Sequence, residues 1–186
     1  VAGANTKAGQ TVAADVSFFY HKPEIEIGDK EGTFNFGLNV SNIGAKMSYS
    51  ETSVQNFIPI NLRLGPSFKV DLDDFNSITI NVDANKLLVP TPPVYLLDQN
   101  GAVVIDPVTG GPQVASGRNP DVGVATGIFG SFNDAPGNVS YDDDGNVVVE
   151  SGSKFREEMR EINVAGGLEY WYADQFAFRT GYFWEH

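Results

Sequence analysis

Cysteine is absent from the 186 residues, which excludes a disulfide framework and thiol chemistry. Histidine is scarce. His21 and His186 are the two present, too few for a histidine-built metal site or a convincing serine–histidine–acid set. Basic residues are outnumbered two to one, 12 Lys and Arg against 24 Asp and Glu. The resulting formal charge of −12 argues against nucleic acid as a partner, because phosphate binding needs a basic footprint. No run approaches the roughly 20 apolar residues of a membrane helix. No phosphate-cradling glycine loop appears, and no charged-then-apolar leader opens the chain, so no signal peptide is expected. No catalytic residue, metal ligand or cofactor is singled out, and the chain reads as a non-enzyme.

What is present is alternation. Phe57–Asp73 reads FIPINLRLGPSFKVDLD, with Ile58, Ile60, Leu62, Leu64, Pro66, Phe68, Val70 and Leu72 at even positions. The odd positions carry Asn61, Arg63, Gly65, Ser67, Lys69 and Asp71. Strand side chains alternate faces with period two, so one face is greasy and the other polar. The pattern predicts six strands at about 10–20, 33–43, 57–72, 77–88, 161–172 and 176–186. Gly166 and Thr180 interrupt the apolar face, and Phe19, Trp171 and Phe183 sit on the polar one. Asp73–Asn76 and Ala173–Gln175 are tight connections, whereas residues 90–160 form one long excursion.

A soluble β-sandwich and a membrane barrel both alternate in this way. Three features favour lipid. Several strands reach the roughly 9–11 residues that cross a bilayer at a tilt. Within the six strands the charges Asp15, Arg63, Lys69, Asp83, Glu169 and Arg179 are read on the polar face, where they are expected to point into a lumen. Short turns alternate with long loops, placing Tyr20, Phe34, Tyr170, Tyr172 and Phe176 near one boundary as an aromatic girdle. Six strands fall short of the about eight needed to close a barrel. The chain is therefore expected to oligomerise or to belong to a longer polypeptide.

Within the long loop, Tyr95–Ile105 and Ser140–Glu150 share a plan with Asn-Gly or Asp-Gly at the centre and read as hairpins. Asn119–Phe132 reads as a helix with Asn119 as N-cap and Pro120 at its first position. Asp134–Gly137 is expected to stop it. Ser153–Ile162 reads as a second short helix. Asp142-Asp143-Asp144-Gly145-Asn146 resembles a fragment of a calcium loop but lacks the ligand spacing and closing glutamate, so a solvated turn is expected. Ile128, Phe129 and Phe132 on the first helix, with Pro90, Pro92 and Pro93 at the loop base, are candidate partner-binding residues. Aromatic side chains are favoured anchors in interface cores.

Four stretches, Phe36–Ser50, Phe57–Pro93, Asn119–Gly137 and Arg156–Glu185, resemble in order the PorV (LptO) family of the type IX secretion system. The resemblance implies an all-β segment of a FadL-like antiparallel transmembrane barrel, integral to the bacterial outer membrane, with the long loop extracellular. It implies partners: a SprA/Sov-type translocon barrel, the C-terminal domains of secreted cargo, a PorU-containing attachment complex, and outer-membrane lipid. It also implies a role in shuttling cargo from translocon to attachment complex. The alternative is a FadL-like channel for a hydrophobic small molecule. Family members are longer than this chain, which is accordingly expected to be an internal segment.

Overall fold

A computed structural model describes residues 9–48, 55–98, 100–142 and 145–185. The chain divides into two compact units. One is a sheet built from Ala13–Ile43, Ile60–Leu87 and the chain from Ile162 onward. The other is built mainly from Gly44–Pro59 and Leu88–Glu161. In chain order the elements are β1 (Ala13–Ile27), β2 (Lys30–Gly44), β3 (Asn61–Asp73), β4 (Asn76–Leu87), β5 (Val94–Tyr95) and β6 (Val114–Ser116). There follow α1 (Val124–Gly130), β7 (Val139–Tyr141), β8 (Val147–Val149), α2 (Ser153–Arg160), β9 (Ile162–Tyr172) and β10 (Phe176–Trp184).

The fold is all-β, as the alternation predicts. Six long strands form one antiparallel sheet in the order β1-β2-β3-β4-β9-β10. Their lengths run from 9 to 15 residues, against about six in an ordinary strand. The register keeps like with like. Phe34, Phe68, Ile80, Leu168 and Thr180 form one row across the sheet. The adjacent row is Thr33, Lys69, Thr79, Glu169 and Arg179. A one-residue slip would exchange these rows between faces, so the pattern fixes the register.

No second layer covers the apolar face among the described residues. Phe18, Ile80, Phe176, Phe178, Tyr182 and Trp184 are exposed, Ile80 by 56% and Phe178 by 71%. Among the described residues the buried aliphatic side chains are Ile58, Ile60, Leu88 and Ala135. A sandwich core would stabilise by about 1.5–3 kcal/mol for each such side chain covered. This sheet forgoes that gain along a whole face. The single open sheet fits a segment of a barrel wall and not a sandwich half already paired.

Sequence and structure differ at the first hairpin. The predicted strand ends at Tyr20, but β1 continues to Ile27 and turns through Gly28-Asp29 into β2. Glu24 takes a left-handed φ of 55°, and the alternation changes phase there. Even-numbered residues face the apolar side before it. After it, odd-numbered Ile27 lies over Gly32, its Cδ1 2.7 Å from where a Cβ on Gly32 would stand, with the Phe68 ring alongside. An αL residue that inserts one position is how a β-bulge re-aims a strand. Pro23, next to it, is tolerated because β1 is an edge strand of this sheet.

Three tight turns, Gly28-Asp29, Asp74-Phe75 and Ala173–Gln175, consequently share one end of the sheet. The two long connections, residues 45–60 and 88–161, leave from the other. At Asp73 the carboxylate Oδ1 accepts the Phe75 N–H at 2.9 Å and is bonded by Asn76 Nδ2 at 2.7 Å, which shapes the turn. Ala173 and Asp174 both have positive φ, 50° and 53°, and the Gln175 N–H closes on the Tyr172 carbonyl at 3.1 Å. Two consecutive αL residues match the twist of a hairpin, but alanine bears the Cβ cost there. Ala173→Gly is expected to stabilise the sheet by about 0.5–1 kcal/mol and Ala173→Val to destabilise it by more, read from the urea midpoint of the refolded protein.

Candidate functional site

The polar face of the sheet carries the first group of candidate residues. Lys69, Glu169 and Arg179 share one row. Glu169 pairs with the Arg179 guanidinium and accepts the Trp171 indole N–H at 2.6 Å. Arg179 also lies over the Trp171 ring, 5.3 Å from its centroid. These contacts explain a tryptophan on the polar face: its N–H needs an acceptor and its ring takes a cation. Lys69 pairs instead with Asp71 at 2.8 Å. Asp83 accepts from Asn81 Nδ2 at 3.2 Å and lies over Gly65, where a Cβ would also stand 2.8 Å from the Val82 carbonyl. Gly167 makes the same room for Asn81. Asp15 accepts the Asn42 N–H at 2.8 Å, where Asn42 has a φ of 60°. Arg63 lies between Asn39 and Asn85 in the register. The six residues are thus spread over the face in local pairs and are not gathered into one chemical centre.

The second group lies in the unit of the long loop. Here α1 spans Val124–Gly130, shorter than the predicted Asn119–Phe132. Asn119 does not cap it. Its Oδ1 accepts the Asp121 N–H at 2.9 Å and the Pro120 carbonyl accepts the Val122 N–H at 3.0 Å, so these residues close a turn of their own. An Asn side chain satisfied two residues on competes with the helix cap. The helix begins after Gly123, which has no side-chain cap.

Gly127 is the buried residue of α1. A Cβ there would stand 2.6 Å from the Phe57 ring and 3.2 Å from Pro90 Cδ. Lys46 lies over the same Phe57 ring at 4.7 Å and reaches Asp121 at 3.2 Å. Phe129 is two residues beyond Gly127, about 200° around the helix, and so points away. It is 79% exposed, and Phe132 is 51% exposed. Ile128 is half-buried, with its carbonyl accepting the Ser131 hydroxyl at 2.8 Å. Of the prolines, Pro92 is exposed, Pro90 packs toward Gly127, and Pro93 is buried against Gly117.

The hairpins are unequal. The predicted hairpin Ser140–Glu150 corresponds to β7 and β8, which start one residue earlier and pair from Val139↔Val149 to Tyr141↔Val147. Asp142 Oδ1 accepts the Asn146 N–H at 2.7 Å across the turn; Asp143 and Asp144 lie outside the described residues. Tyr95–Ile105 turns through Asp98 and bridges Leu97 to Val103, but Val94 and Tyr95 pair with β6. That edge is therefore already occupied by the chain itself.

One constellation went unread in the sequence. The Asp134–Gly137 turn is clamped by α2. Glu158 Oε1 accepts the N–H groups of Asp134 and Ala135 at 2.7 and 2.8 Å. Glu157 Oε2 accepts the Gly137 N–H at 2.6 Å. Ser153 Oγ donates to the Glu150 carbonyl and accepts the Asn138 N–H. Thr91 donates its N–H to Asp134 Oδ2 at 3.0 Å and its hydroxyl to Glu161 Oε1 at 2.7 Å. Burial pushes the Asp134 carboxyl up, the Thr91 hydrogen bonds oppose this, and nearby Glu158 and Glu161 add to the rise. The available signal was a tight Asp-Ala-Pro-Gly turn followed by a helix region bearing Glu157, Glu158 and Glu161.

Gly137 has a φ of +75°, and a Cβ there would stand 2.6 Å from Ser153 Oγ and 3.1 Å from the Lys154 nitrogen. Gly137→Ala is expected to cost about 1–3 kcal/mol. The loss should be local, with faster hydrogen exchange across residues 131–160 and unchanged exchange in β3 and β4.

No helix among the described residues is long and apolar enough to cross a membrane, a fact silent about strands. The family model described as "Type IX secretion system protein PorV" matches residues 1–94, half of the chain. No curated protein matches the chain.

Proposed function

The chain belongs to the PorV family of type IX secretion system proteins, and on that premise we propose that it is a non-enzymatic outer-membrane component that captures secreted cargo. In this reading the sheet is part of a FadL-like barrel wall. It binds the C-terminal domain of cargo, associates with a SprA/Sov-type translocon barrel, and passes cargo to a PorU-containing attachment complex.

The observation that carries the reading is the uncovered apolar face. Its residues stay exposed along strands long enough to cross a bilayer, with most of the charges on the opposite face; the exceptions are Lys22, just before the Glu24 phase change, and Lys86, in register with Leu62 and Ile162 and buried at the loop end of β4. Lipid would cover Phe178 and Tyr182 as no other part of the described chain does. At the end of the sheet that carries the tight turns, Tyr20 packs on Phe34 at 6.3 Å, and Tyr170, Tyr172 and Phe176 lie in neighbouring positions. Such a band suits a membrane boundary. The tight turns then face the periplasm and the long connections the exterior. The polar inner face weighs against the small-molecule channel, which needs an apolar path.

The partner surface is assigned to Phe129, Phe132 and Ile128 with exposed Pro92. Two large exposed aromatics on a docked helix and its end are anchors without a pocket of their own. The β7–β8 hairpin, a two-stranded sheet, offers an outer edge for strand addition by an incoming β-domain.

Two measurements test this. Leu64→Arg or Ile80→Arg is expected to cripple barrel assembly, since a lipid-facing arginine at mid-depth costs about 2–4 kcal/mol, whereas Asn81→Arg should be milder. Equal loss of the heat-modifiable folded band in both sets would remove the membrane assignment. Replacing Ile128, Phe129 and Phe132 together with polar residues should leave that band intact while abolishing cargo capture and translocon association. Full retention of both would place the partner surface elsewhere.

A further inference from the structure

We propose that Asp134, Glu158 and Glu161 bind a calcium ion. One carboxylate oxygen from each lies within 4.8 Å of the others. Two oxygens each about 2.4 Å from a shared ion are at most about 4.8 Å apart, so the spread fits calcium coordination. The three come together because α2 folds back on the Asp134–Gly137 turn, and Glu161 immediately follows that helix.

The second observation is an orphaned oxygen. Asp134 is only 4% exposed. Its Oδ2 accepts the Thr91 N–H, but its Oδ1 is buried and has no hydrogen-bond partner. A buried carboxylate oxygen without a donor is costly, and here it belongs to a carboxylate already facing two other acids. A cation would satisfy the oxygen and cancel the repulsion together.

The donor set selects the ion. It is all oxygen, with no thiolate or imidazole, which favours a hard cation over zinc or copper. Asp134 and Glu158 are buried and Glu161 half-buried. Magnesium keeps several waters in a near-ideal octahedron, whereas calcium accepts irregular carboxylate cages. The ligands are also held from behind. Glu158 takes the N–H groups of Asp134 and Ala135, and Glu161 takes the Thr91 hydroxyl. Such outer bonds orient a metal ligand before the metal arrives. The ion would tie α2 to the turn after α1. The assignment does not depend on what the protein captures.

The test uses the full-length protein in detergent micelles, stripped with a chelator and titrated with calcium chloride by calorimetry. Limited proteolysis of residues 131–160 is followed in parallel. The expected result is saturable binding and slower cleavage with calcium. Asp134→Asn and, separately, half-buried Glu161→Gln should each weaken binding by at least about tenfold with the folded band preserved. Asp142→Asn, in the acidic hairpin turn, should leave it unchanged. Three results would overturn the proposal: no calcium-dependent heat or protection at millimolar calcium, wild-type affinity in both trio variants, or loss of binding through Asp142→Asn alone. Protection of chelated protein by Asp134→Asn equal to that given by calcium would also overturn it, since the acids would then share a proton and not an ion.

Discussion

Everything in the sheet depends on the period of two. A strand has no choice about which side chains share a face, so placing apolar residues at alternate positions along each strand commits a whole surface to a non-aqueous neighbour. The sheet supplies no such neighbour from its own described residues. Phe18, Ile80, Phe178 and Tyr182 stand open while Glu169, Arg179, Asp83 and Asn81 satisfy one another on the reverse. The usual assignment of inside and outside is inverted, and the polar face is the one with internal partners. Glycines fit this inversion. Gly65 and Gly167 lie on the polar face, where they give the Asp83 and Asn81 side chains room to lie flat on the backbone.

The unit of the long loop obeys a different rule. Few aliphatic residues are buried in it, and its order comes from polar groups that reach backbone N–H donors. Glu158, Glu157, Ser153 and Asp134 each accept such a bond. Hydrogen bonds to charged acceptors are worth about 1.5–3 kcal/mol each, comparable to covering a large apolar side chain. A segment built this way can hold a defined shape and still leave Phe129 and Phe132 outward for a partner.

The sheet was legible because its signal is local and repeated. Where the repeat is broken by one residue the reading failed. Glu24 changes the phase of β1, and Lys22-Pro23-Glu24 looks like the end of a strand although the strand runs on to Ile27. The α2 helix was legible, since Ser153–Ile162 reads as a helix and the observed span is Ser153–Arg160. The start of α1 was not, because Asn119-Pro120 carries the same residues whether it caps a helix or closes a turn. The outward position of Phe129 followed from helical spacing once Gly127 was known to be the buried residue. The Asp134–Glu158 clamp joins residues 24 positions apart, and no local period announces a contact of that kind. Pro93 was grouped with Pro90 and Pro92 on composition, and only its packing against Gly117 separates it from them.

The central claim is that alternate residues of one strand meet lipid. The chain has no cysteine, so single cysteines can be placed in turn at positions 78 to 83 of β4 and labelled with an environment-sensitive dye. In bilayers of brominated lipid the account predicts strong quenching at Ile78→Cys, Ile80→Cys and Val82→Cys, and weak quenching at Thr79→Cys, Asn81→Cys and Asp83→Cys. Uniform quenching, none at all, or the opposite phase would contradict it.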